Sequence, residues 1–172
     1  MPTRARLAIA VAIALLSATG IVVLAVHWLA GAARAAAPLG LRETAAVGRF
    51  RGYREVRIAS GGRCMRVVVA DTAARRERGL RGVVDLAPYG GMVFAQAHDT
   101  DAAFTMAGVS EPLEITWYGS DGRSVGATLM RPCPDVAARC PVYANNRPYR
   151  FALETPGGAG GVSGPPGLAG CG

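Results

Sequence analysis

The stretch Leu113-Glu-Ile-Thr-Trp-Tyr118, Gly119-Ser-Asp-Gly122 and Ser124-Val-Gly-Ala-Thr-Leu-Met130 decides the fold class of this chain. Leu113, Ile115 and Trp117 alternate with Glu114 and Thr116, the period-two pattern of a strand with one buried face. Gly119–Gly122 has hairpin-loop composition, so Ser124–Met130 reads as the antiparallel return strand. The same reading extends outward. Tyr53–Ile58, the β-branched run Cys64–Ala70, Met92–Phe94 and Ala102–Met106 are further short strands, and Tyr149–Glu154 is the last, with Tyr149, Phe151 and Leu153 alternating inward. Asp71 or Thr72 is placed to N-cap a helix over Ala73–Leu80, with its Arg residues mainly toward solvent and Gly79 and Gly82 at its end. Many short strands with one early helix predict a mainly β (α+β) domain built on an antiparallel sheet.

Composition narrows the function classes. All 19 basic residues are Arg, and setting aside Arg4, Arg6 and Arg34 lowers the formal charge from +7 to +4. The remaining arginines are scattered, apart from Arg75, Arg76 and Arg78, with no basic stripe interleaved with aromatics. That pattern argues against nucleic acid as a partner. Arg4 and Arg6 precede an uncharged run from Leu7 to Ala33 that ends near Trp28. A signal-peptide core is about 7–15 residues and a spanning helix about 20. Residues 1–37 therefore read as a transmembrane anchor or signal segment, with a retained helix over residues 7–30 and the following chain outside the cytoplasm. Ala33-Arg-Ala35 and Ala35-Ala-Ala37 also resemble cleavage sites. Residues 38–52 read as a tether and 53–172 as the folded domain.

An ordered series of short motifs runs through that domain. It comprises Val67-Val-Val-Ala-Asp-Thr72, Arg78-Gly-Leu80 with Gly82, Gly91-Met-Val-Phe94, Phe104-Thr-Met106, Pro112-Leu-Glu114, Pro132-Cys133, Cys140-Pro-Val-Tyr143 and Tyr149–Glu154. The series resembles the domain of unknown function 192 family, in versions exported by high-GC bacteria. The resemblance implies a small barrel-like sheet with a helix packed against it, an extracytoplasmic location and no established reaction. Three positions depart from the pattern. Gly108-Val109 stands where relatives show Asn-Thr, Arg81 replaces a Met, and Glu114 replaces an Asp.

Four cysteines, Cys64, Cys133, Cys140 and Cys171, in an exported chain argue for disulfides. Three pairings are open from the residues alone. Cys133 and Cys140 flank a proline-rich excursion and can close a local loop, and the resemblance supports joining Cys64 to Cys171. That second bond would tie the Gly/Pro tail 157–172 to the sheet. A zinc site is disfavoured, because Cys133 and Cys140 are spaced too widely and His98 is the one imidazole outside the apolar run. No metal and no cofactor is expected.

Catalytic equipment is sparse. His98 lies in the polar stretch Gln96–Asp101, and Asp71, Glu114 and Glu154 are the acids nearest the strand motifs. Asp71 reads as a helix cap and Glu154 as a strand end. Glu114 faces away from Leu113 and Ile115, so it lies in water or lines a concavity. Phe104 and Met106, with Glu114, are the candidate ligand contacts, although Phe104, Met106 and Met92 at such positions also suit a core. The expectation is an envelope binding or structural module. The alternative is a hydrolase of envelope material that uses Glu114 with Asp71 or His98.

Overall fold

A computed structural model describes residues 40–133, 139–157 and 165–172. The hairpin forms as read. Strand β6 (Leu113–Tyr118) pairs with β7 (Ser124–Met130) from Leu113↔Met130 to Tyr118↔Ser124. The turn closes through the Gly119 N–H on the Arg123 carbonyl at 2.9 Å, with Gly122 in the left-handed region at φ 76°. The other strands are β1 (Thr44–Ala45), β2 (Arg54–Ser60), β3 (Arg63–Ala70), β4 (Gly91–Thr100), β5 (Phe104–Thr105), β8 (Val142–Tyr143) and β9 (Tyr149–Pro156). Seven of them form one sheet in the order β1-β2-β3-β4-β9-β6-β7, and β5 pairs with β8 alone.

The sheet is mixed, which corrects the antiparallel reading. Strands β3 and β4 run parallel, with Val67 opposite Gly91 and Ala70 opposite Phe94. A parallel pair needs a crossover of a dozen or more residues, and the segment from Asp71 to Gly90 supplies it. The sheet is also not closed into a barrel, because its edge strands β1 and β7 do not pair. The tail makes single bridges near both ends instead, Gly170 to Ile58 on β2 and Gly167 to Arg123 beside β7. Three residues of chain span at most about 11 Å. The strand steps from β2 to β7 measure roughly 24 Å along the sheet, so the sheet curls strongly and the tail crosses its open side.

The central strands are buried on both faces and read as continuous apolar runs. Val67, Val68, Val69 and Ala70 are all fully buried. One face carries Val68, Met92, Phe94, Ala152, Ile115 and Trp117, and the loops around Leu80, Tyr89 and Met106 cover it. The opposite face carries Val56, Ile58, Val67, Val93, Phe151 and Leu153, and Leu168 of the tail covers it. Tyr149 was expected on the same face as Phe151. It joins the first core instead, because a register shift between Ala95 and Thr100 turns the strand pair.

Three local readings change. Helix α1 (Ala73–Arg78) is capped by the Thr72 hydroxyl, which accepts the Arg75 N–H at 3.3 Å. Asp71 is no cap. Its carboxylate accepts from Arg54 and Arg75, each at 2.6 Å, and it is fully buried. The helix buries none of its own residues, and Arg75 and Arg76 hold it down rather than facing water, while Arg78 is exposed. Arg75 reaches the Gly52 carbonyl at 2.6 Å and lies 4.8 Å from the centre of the Tyr53 ring, and Arg76 donates to the Ala95 carbonyl at 2.9 Å. The second half of the expected tether also belongs to the fold, since it forms β1 and places Ala46 and Phe50 in the core. It is pinned where the Val47 N–H donates to the Tyr89 hydroxyl at 2.7 Å. Tyr89 in turn donates to Glu55 at 2.7 Å, and Arg66 donates to the same carboxylate.

Both expected disulfides are present, Cys64–Cys171 and Cys133–Cys140. Among the described residues no helix is long and apolar enough to cross a membrane, and the run 7–30 read as an anchor lies outside them.

Candidate functional site

Strand β9 runs through the middle of the sheet, and Glu154 sits on it between Met92 of β4 and Ile115 of β6. Its side chain therefore points into the first core, where it is only 5% exposed. Gly91 is what lets the strands close there, because a Cβ at that position would collide with the Glu154 carbonyl oxygen. A carboxylate so placed normally has a cation or several N–H donors around it. Among the described residues Glu154 has neither, and its carboxyl faces a cavity of about 450 Å³. Burial pushes its pKa up to about 8. At neutral pH it is mostly a neutral carboxylic acid, able to donate one hydrogen bond.

Aromatic rings wall the cavity. Phe94 and Phe104 meet edge to face at 5.1 Å, and Tyr149 lies 6.1 Å from Phe104. The Tyr149 hydroxyl donates to the Ala102 carbonyl at 2.7 Å, and its pKa is pushed up to about 12 by burial and by nearby Asp101. Gly79, at φ 49°, brings the end of α1 onto the Phe94 ring, where a Cβ would stand 3.4 Å from the ring edge. A side chain there would be strained and would crowd the wall. The chain then turns through Gly82, whose N–H donates to the Gly108 carbonyl at 2.9 Å, so the Arg78-Gly-Leu80 motif is fastened to the segment after Met106.

Helix α1 and the turn after it supply the rim. Arg76, Arg78 and Arg81 all line the cavity. Arg76 is committed to the Ala95 carbonyl. Arg78 and Arg81 are exposed and make no ion pair among the described residues. The site thus joins a cationic mouth, aromatic walls and one neutral acid at the floor.

The structure does not bring the expected site residues together. Phe104 lines this cavity and is half-buried rather than a full core residue. Met106 and Met92 are fully buried core. Glu114 faces the opposite side of the sheet, beside Thr155 and Leu129, with its Oε1 buried and lacking a partner among the described residues. Asp71 is tied to two arginines, and His98 is exposed on the extended end of β4. No contact links Glu114, Asp71 and His98 among the described residues. The residue the sequence reading passed over is Glu154. The signal for it was the unbroken run Phe151-Ala-Leu-Glu154, which suits a strand covered on both faces.

A larger cavity, about 830 Å³, opens between Met65, Leu86, Tyr89 and Leu113. Of its charged residues, Arg63, Asp85 and Glu111 are exposed, and the half-buried Arg66 is already satisfied by Glu55, whose pKa that hydrogen bond lowers. No buried acid lines it among the described residues, unlike the smaller cavity with Glu154. The smaller cavity holds the chemistry.

Residues 56–162 match the family DUF192, described as "Uncharacterized ACR". The chain belongs to that family. Among solved structures it is similar to a Novosphingobium aromaticivorans DSM 12444 protein of unknown function, at 22% identity and a TM-score of 0.57, over 72% of this chain and 86% of that one. It is also similar, at 22% identity and a TM-score of 0.50, to a Sinorhizobium meliloti 1021 protein described as a candidate transcription regulator, over 59% of this chain and 78% of that one. These likenesses show a shared fold. No curated protein matches.

Proposed function

We propose that this chain is an extracytoplasmic binding module of the cell envelope, held at the membrane by residues 7–30, and that it takes a small ligand into the Glu154 cavity. Glu154 carries the reading. A carboxyl on a residue 5% exposed, with no protein partner among the described residues and only the cavity beside it, is unfavourable to the fold while the cavity is empty, and such a cost is characteristic of a binding site. Two disulfides point to an oxidising compartment, which supports export. The scattered arginines support a partner other than nucleic acid. The hydrolase alternative is less supported, because Glu114, Asp71 and His98 occupy separate places.

Glu154→Leu tests the binding reading. If the acid is kept for a ligand, the apolar variant melts higher than the parent at neutral pH. A lower melting temperature would mean that the carboxyl has a structural task, and the proposal would fall. N-terminal sequencing of the native protein tests the anchor, which requires that the chain keep residues 7–30. A mature N-terminus between Ala33 and Ala37 would show a removed signal instead.

A further inference from the structure

A carboxyl buried in this way has two routes to satisfaction, a proton or a cation from outside. Arg76, though on the cavity wall, is held by the Ala95 carbonyl at 2.9 Å and makes no ion pair with Glu154. Three aromatic rings, Phe94, Phe104 and Tyr149, line the same cavity as the acid, and ring faces attract cations. A divalent metal needs several oxygen ligands, and the other carboxylate lining the cavity is the exposed Glu77. An ammonium group needs only one carboxylate and is well matched to rings. A simple amine would still have to pass the rim arginines, whose charge repels it. A carboxylate on the same molecule turns that repulsion into charge-assisted hydrogen bonds with guanidinium groups.

We infer that the cavity binds a small zwitterion of amino-acid type, its ammonium on Glu154 among Phe94, Phe104 and Tyr149 and its carboxylate on Arg78 and Arg81. The inference rests on the binding-module reading and names its ligand class. A volume of about 450 Å³ admits a free amino acid or a dipeptide. Seating the ammonium ionises Glu154. The acid's proton leaves to solvent, and an ion pair replaces a neutral carboxyl. Because burial holds the empty site's acid protonated up to about pH 8, binding near neutral pH releases a proton.

Isothermal titration of the full chain near pH 6, in two buffers of different ionisation enthalpy, reads that proton directly. The probes are alanine, alanyl-alanine, ethylamine, propionate and glucose, with the Phe104 and Tyr149 ring resonances followed in parallel. The expected result is binding of alanine or alanyl-alanine with about one proton released, at least about tenfold tighter than ethylamine or propionate. Glu154→Gln, which keeps the shape, should abolish the release and weaken binding by about tenfold or more. Arg78→Ala combined with Arg81→Ala should bring the zwitterion down to the affinity of ethylamine. Propionate or glucose binding in the cavity as tightly as alanine, without proton release, would overturn the zwitterion while leaving a binding cavity. If no probe gives heat or moves either ring resonance, both readings fall.

Discussion

The two faces of the sheet are built from the same strands and closed in opposite ways. The face under the tail is mostly apolar, with Val56, Ile58, Val67, Val93, Phe151 and Leu153 beneath Leu168, and its polar members are the buried Thr116 and, toward the β7 edge, Glu114. Its cover has almost no side chains of its own and depends on covalent and backbone ties. The Ala59 N–H donates to the Ala169 carbonyl at 2.8 Å, the Ser124 N–H to the Pro166 carbonyl at 3.0 Å, and Cys171 is bonded to Cys64. The other face has a thick cover of helix and loops, yet encloses an acid without a partner among the described residues and leaves a cavity over it. The tail face carries the covalent tie, and the face with the cavity carries the candidate chemistry. A chain that needed only a fold would have placed an apolar residue at position 154, as it did at Leu153.

The largest expected effect distinguishes the faces by pH. Glu154 has a folded pKa of about 8 against an ordinary 4.5. Its contribution is therefore most favourable below about pH 4.5 and is lost as pH rises to about 8, a loss on the order of 4–5 kcal/mol. Denaturant melts across that range should show the decline in the parent and a flat line in Glu154→Gln. Equal slopes in both would remove the distinction between the faces. Asp71 slopes the other way. Burial alone would raise its pKa, but the hydrogen bonds from Arg75 and Arg54 hold it below the usual carboxylate value, so its stabilisation is lost as pH falls.

Cutting the strap comes next. The Cys64–Cys171 bond closes a long loop, for which the chain-entropy model gives up to about 4.7 kcal/mol. Cys171→Ser should lower stability by about 2–4 kcal/mol. Hydrogen exchange should open first at Ala59, Ser124 and Leu168, while amides around Glu154 stay protected. Uniform loss of protection would show one cooperative core rather than two. Leu168→Ala should cost about 2–4 kcal/mol if the tail is a true cover. Phe104→Ala should cost less, about 1–2 kcal/mol, because its ring is half-buried beside an open cavity and little of its contact is lost. A chemical denaturation series ranks the two, and a larger loss at Phe104 would invert the comparison.

Local patterns in the sequence carried much of this architecture. Leu113–Met130 is a hairpin because its alternation and its turn lie within eighteen consecutive residues. The disulfides followed from cysteine placement together with the family resemblance. Non-local features were hidden. The parallel β3–β4 pairing depends on a crossover through Leu80 and Tyr89 that no period reveals. Phe50 stands among Arg and Gly, and only its packing against Tyr53 and Tyr89 makes it core. Arg75 and Arg76 looked like a solvated helix face, yet carbonyls from distant segments bind them. Glu154 was hidden for a related reason. Alternation assigns a residue to one of two faces, and it marks the second face as solvent when neighbouring strands in fact cover both. The same logic misplaced Glu114, which resembles a site acid in sequence but faces away from the cavity.

Glu154 is an acid that burial holds neutral beside the cavity, without a protein partner among the described residues. Side-chain ¹³C NMR of glutamate-labelled protein follows that carboxyl through a pH titration. The expected midpoint is about 8, with the resonances of Phe104 and Tyr149 moving in step. A midpoint near the ordinary 4.5 would contradict it.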